Sequence, residues 1–311
     1  MSTAMIRTGQ VAITVILLVV LWRFADGQQA GTMLGAADPL WLLAALIALT
    51  AQTVMSAIRW RITAGQLGLE LPVGVAVQEY YLSQIVNQLL PGGVLGDASR
   101  AVRSRQQRGL IAASQAVIFE RLAGQIALFI VMTCAFVITY VRPGGLDWPS
   151  WALSINFLII GGGIGLGLVF IAMTLVPSPL RVKAVNLSRS MTHALAARDV
   201  ITQQVALSFG TTACNLAAFA CCAHAVGIAV SPAMICALMP LVLFTMLVPL
   251  TVMGWGLREG AASVLLPLAG ASASAGLAAS VAFGLVMLVA TLPGLLAVWT
   301  QRKLQDNGIS T

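Results

Sequence analysis

Long apolar runs recur along this chain, at about 11–22, 39–58, 111–141, 151–176, 201–226 and 272–299. Most approach or exceed the roughly 20 residues that a helix needs to cross about 30 Å of hydrocarbon. Mean hydropathy is +0.93 over 311 residues, and no polar region is long enough for a separate soluble domain. The expected fold is an all-α polytopic membrane protein, one transmembrane domain over 1–311 with about six full spans. The first run follows Arg7 and has the outline of a signal peptide. It reads instead as a retained first helix, because further membrane segments follow it.

Between these runs lie two stretches that interrupt the apolar pattern. The first, 73–108, carries Gln78, Glu79, Tyr80, Tyr81, Ser83, Gln84, Asn87 and Gln88, too polar a set to face lipid. Pro91, Gly92 and Gly93 then stop a helix, Gly96 and Asp97 follow, and Arg100, Arg103, Arg105 and Arg108 arrive together. The second, 232–270, is broken by Pro240, Pro249, Gly254, Gly256 and Pro267. Broken backbone at membrane depth is tolerated where protein or a water-filled cavity surrounds it.

Charge orients the segments. A net charge of +7 suits nucleic acid in a soluble protein, but in a membrane chain Lys and Arg report topology. Arg7, Arg59 with Arg61, the 100–108 cluster, the basic 180–199 stretch and Arg302 with Lys303 assign themselves to the cytoplasm. Both termini are therefore expected there, in a bacterial cytoplasmic (inner) membrane. The turns near Asp26 to Asp38 and Arg142 to Asp147 are expected outside. With 59 and 108 on one side, 73–108 must enter and leave by the cytoplasmic face; 232–270 must do so from the outer face. The result is an inverted repeat with halves at about 1–145 and 146–311, a plan common among secondary transporters. Residues 180–199 read as an amphipathic helix on the membrane surface.

The chemistry follows from the breaks. Asp97 to Arg108 is about 16 Å of helix, half the hydrocarbon thickness, so Asp97 begins a half-helix near the midplane. A second begins at about Leu257. Two helix N-termini with free N–H groups would favour an anion. Arg100, Arg121 and Arg258 are the cations at that depth, and Asp97, Glu120 and Glu259 the anions. Ionisable residues inside a membrane are costly enough to point to function, although mutual pairing alone would also account for them. The candidate binding residues are Asn87, Asp97, Arg100, Glu120, Arg121, Arg258 and Glu259. Asp97 or Arg100 is expected beside Arg258 or Glu259, so that the two motifs compensate each other.

Other features carry less. Gly161, Gly163, Gly165 and Gly167 have helix-packing spacing inside an apolar run rather than a nucleotide loop. His193 and His224 are isolated. The five cysteines lie in apolar segments without CxxC spacing, so neither a metal site nor a disulfide framework is indicated. No cofactor is expected.

On these residues the chain resembles the lysylphosphatidylglycerol synthase transmembrane-region family, which includes the flippase part of the multiple peptide resistance factor. The first motif is Asn87, Leu90-Pro91-Gly92, Gly96-Asp97, Arg100 and Glu120-Arg121. The second is Pro249, Gly254, Gly256, Arg258, Glu259 and Gly260. Trp255 departs from the smaller residues usual there and is expected to change what the cavity admits. The resemblance implies lipid translocation, and the lack of an aminoacyl-transfer domain argues against lipid synthesis. The expected function is a flippase-like movement of an anionic or zwitterionic phospholipid, or a polyprenyl-linked headgroup, between leaflets. Membrane lipids are then the partners, with a lipid-modifying enzyme as a further one, and no nucleic acid. The alternatives are a non-catalytic accessory subunit of a lipid or glycan pathway, or a membrane-embedded lipid phosphotransferase. The chain is not expected to be an enzyme.

Overall fold

The computed structural model describes residues 3–90, 94–141, 146–175, 181–247, 251–252 and 254–295. All regular structure among them is helical. In chain order the helices are α1 (Thr3–Phe24), α2 (Gly27–Gly35), α3 (Pro39–Gln66), α4 (Val73–Leu89), α5 (Leu95–Arg103), α6 (Gly109–Val141), α7 (Ser150–Leu175), α8 (Arg181–Ala196), α9 (Ile201–Ala225), α10 (Pro232–Phe244), α11 (Leu257–Leu265) and α12 (Ala273–Thr291). By length and composition α3, α6, α7, α9 and α12 can each cross a membrane, and counting the bent α1–α2 pair as one span gives up to six among the described residues.

The helix ends follow local chemistry. Asp38 caps α3 through the Leu40 N–H at 2.8 Å, with Pro39 in the first turn where its missing N–H costs nothing. Ser231 and Pro232 start α10 in the same way. Between α1 and α2 the chain turns 90° at Asp26, whose φ of 48° is tolerable for an Asp that also caps α2. The stretch expected to be an outer turn near Asp26 to Asp38 thus contains a helix, and α2 packs against α12. Pro240 lies inside α10 and does not end it.

Two spans run differently from the hydropathy reading. α3 continues to Gln66 instead of stopping near 58, because Trp60, Thr63 and Ala64 are buried against neighbouring helices and extend the packed face. α5 stops at Arg103 in a short 3-10 turn, so it is a nine-residue helix and not a half-helix reaching 108.

α3 packs along α9, and this pair sits at the centre of the bundle. Around it α4 packs on α12 and α10 on α6, while α3 packs on α6 and α9 on α12. α5 folds back on α4, and α11 on α10. α8 forms as its composition predicts and leans on α3, α6 and α9 with Ala184 and Ala194 inward. α7 stands apart, with almost all of its apolar surface open.

Candidate functional site

The α4–α5 hairpin is closed by side chains. Ser83 and Asn87 of α4 donate to the Asp97 carboxylate at 3.1 and 3.3 Å, and Asn87 Oδ1 accepts the Gly96 N–H at 2.7 Å. Gly96 permits this approach: a Cβ there would run into the Ser83 carbonyl oxygen. Pro91, Gly92 and Gly93, expected to make the break, lie outside the described residues, as does Pro249 in the second motif.

Asp97 also pairs with Arg100 at 3.1 Å and with Arg121 at 2.5 Å. Arg100 reaches Glu120 at 3.5 Å, and Glu120 accepts a hydrogen bond from Tyr80 at 3.3 Å. Arg100 is fully buried, its guanidinium over the Trp60 ring at 4.5 Å and the Tyr80 ring at 4.4 Å. Two aromatic faces stabilise the cation where few oxygens are available.

The most closely held partner of Glu120 is a residue assigned above to the cytoplasmic surface. Arg59 donates to Glu120 at 2.6 Å, and to Thr211 at 3.0 Å and Ser208 at 3.4 Å on α9. It is 4% exposed. Gln52, Ser56, Arg59 and Thr63 are spaced by four, three and four residues, so they share one helix face. That polar stripe inside an apolar run was the available signal.

The second motif forms its own pair. Arg258 donates to Glu259 from both Nε and Nη2, and to Ser280 of α12 at 3.0 Å. Its guanidinium lies 5.0 Å from the Trp255 ring and 5.5 Å from Phe283. Gly284 leaves the room for this, since a Cβ would meet both Arg258 and Trp255. Gly254 and Gly256 make the turn into α11 with φ of 74° and 88°. Glu259 Oε2 accepts the Gly256 N–H at 2.7 Å.

Two expectations are corrected here. Neither half-helix offers a vacant N-terminus, because Asp97 and Glu259, each the third residue of its helix, put a carboxylate in the first turn. Nor do the motifs compensate each other. Among the described residues no ion pair joins Asp97 or Arg100 to Arg258 or Glu259; each motif is neutralised locally.

A cavity of about 290 Å³ opens between α3, α4, α6, α9 and α12. Its charged lining residues are Arg59, Glu120 and Arg121, with Asn87 and several Gln, Ser and Thr side chains completing a polar wall. Of the sequence candidates, Asn87, Glu120 and Arg121 line it, and Asp97 touches it through Arg121. Arg100, Arg258 and Glu259 are fully buried and none of the three lines it. Trp255 covers Arg258 rather than lining the cavity, so the admission role expected of it does not follow. Phe283 lies between the Arg258 pair and the cavity wall.

The family model described as "Lysylphosphatidylglycerol synthase TM region" matches residues 8–294. The chain belongs to this family. Both charged motifs fall within the match, and with its apolar helices the chain is a multi-pass membrane protein related to a lipid-associated region. No curated protein and no solved structure matches it significantly.

Proposed function

We propose that this member of the lysylphosphatidylglycerol synthase transmembrane-region family moves a phospholipid or lipid-linked headgroup between leaflets through the charged cavity. The observation that carries this is a cavity with two guanidinium groups and a carboxylate in its wall, inside a largely apolar bundle. Burying charge in such a place is costly unless a polar ligand or water uses it. About 290 Å³ suits a headgroup and excludes the whole lipid, so the acyl chains stay in the bilayer.

The accompanying topology is two re-entrant hairpins in an inverted repeat, with halves at about 1–145 and 146–311. Its support is the paired packing described above: α4 on α12 against α10 on α6, α2 on α12 against α8 on α6, and an acidic third residue in both α5 and α11. The cytoplasmic end, in a bacterial inner membrane, is the one where the 66–72 and 104–108 segments meet. There Glu70 and Gln107 exchange two hydrogen bonds, and Arg61, Arg105 and Arg108 gather.

The test is headgroup accessibility in vesicles holding a trace of lipid with a fluorescent headgroup. With the purified chain inserted, an external reductant should bleach beyond the outer-leaflet half within minutes. Bleaching that stops at half, as in protein-free vesicles, would end the translocation reading.

A further inference from the structure

Five side chains form one alternating ladder. Arg59 meets Glu120, Glu120 meets Arg100, Arg100 meets Asp97, and Asp97 meets Arg121. The signs run plus, minus, plus, minus, plus. The ladder therefore ends on a cation at both ends and, among the described residues, carries one uncompensated positive charge. Its centre is closed, with Arg100 fully buried against two aromatic rings. Both ends reach the cavity: Arg59, itself 4% exposed, and Arg121 line it, and the Arg121 side chain is 45% exposed. Arg59 Nε is buried yet has no hydrogen-bond partner among the described residues. Among the described residues no other lining residue except Glu120 is charged.

We propose that Arg59 and Arg121 together hold one singly charged oxyanion, the phosphodiester of a lipid headgroup, which closes the ladder into a ring of alternating sign. This rests on the lipid-translocation reading. The reason is charge arithmetic in a poorly screened interior, where a net charge is far less stable than in water. One negative charge brings the ladder and its ligand to zero. An uncharged headgroup leaves the excess cation in place. A phosphomonoester, with a charge of about −1.5 to −2 at pH 7, overshoots it. Two planar guanidinium forks supply the donors that phosphate oxygens need. The cavity thus selects on charge number, and Arg59, outside both sequence motifs, is half of the selecting pair.

The experiment measures binding of three dihexanoyl lipids to the full chain in detergent at pH 7: phosphatidylglycerol as phosphodiester, phosphatidic acid as phosphomonoester, and uncharged diacylglycerol. The wild type should prefer the phosphodiester about tenfold or more over both others. Arg121→Gln makes the ladder neutral, so its preference for phosphodiester over diacylglycerol should vanish. Arg59→Lys keeps the charge but loses the fork, and should keep the preference at several-fold weaker affinity. Arg189→Gln, on exposed α8, should bind as wild type. A wild type without charge preference, or an Arg121→Gln that retains it, overturns the proposal. Inorganic phosphate competing as well as the lipid would assign the site to a free anion and overturn the lipid assignment. Intact preference with no headgroup movement in vesicles would leave the ladder standing and remove translocation alone.

Discussion

Arg59 of α3 donates to Glu120 of α6 at 2.6 Å, and the same guanidinium reaches Thr211 of α9, so one side chain ties together three helices at the cavity wall. Arg61, two residues on, is exposed and donates to the Leu71 carbonyl at 2.9 Å. Two arginines that look alike in sequence therefore do different things.

Arg59→Ala leaves Glu120 buried with only the longer Arg100 pair and the Tyr80 hydroxyl. The expected loss is about 3 kcal/mol of stability, while Arg61→Ala should change it by under about 0.5 kcal/mol. Thermal denaturation of the detergent-solubilised variants followed by size exclusion checks this. Equal midpoints for the two would contradict the burial argument.

Arg258 is fully buried and does not line the cavity, so its replacement acts on folding. Glu259→Gln preserves an acceptor for the Gly256 N–H but leaves Arg258 uncompensated, at a cost of about 3 kcal/mol. The double variant Arg258→Met with Glu259→Gln should recover at least half of that, because no buried charge remains unpaired. A double-mutant cycle on denaturation midpoints reads the coupling. Additive losses would mean the pair is not coupled.

Gly96→Ala forces a methyl group toward the Ser83 carbonyl, which is backbone and cannot swing away. Separation of α5 from α4 should cost about 1–3 kcal/mol or more and disturb the Asp97 contacts. Gly65→Ala, with nothing near the added methyl, should be neutral or gain up to about 1 kcal/mol from helix propensity. Matched folded yields for these two variants would refute the close-approach account.

Single cysteines at Glu70, Gln107 and Asp199 should all label from the cytoplasmic side. Glu70 and Gln107 bond to each other, and Gln66 bonds to Asp199 at 2.9 Å. A cysteine at Asp38 should label from outside, since its backbone N–H bonds to the Ala225 carbonyl at the other end of α9. Impermeant maleimide on oriented vesicles decides it. Labelling of 107 and 38 from one side would undo the proposed topology.

Much of this protein was legible before any fold was known, because hydropathy and helix breaking are local properties. Runs near 20 apolar residues name the spans, Gly254 and Gly256 name the turn into α11, and a basic stripe names α8, whereas Pro240 does not interrupt α10. The two charged motifs were likewise visible, since so few charges occur in an apolar chain. The partner of each charge is not a local property. Residues 59 and 61 are about 200° apart on a helix of 3.6 residues per turn, so only the packing of α3 against α6 and α9 decides which one is buried. Asp97 and Glu259 both follow a helix break, but tertiary contacts give Asp97 a chain of cations leading to a cavity and give Glu259 a closed pair. Sequence determined that charge would lie within the membrane domain; tertiary packing decided that Arg121 faces the cavity while Arg100 and Arg258 do not. The physical reason is that the stability of a buried ion depends on what surrounds it in space, and those surroundings come from helices far apart in the chain.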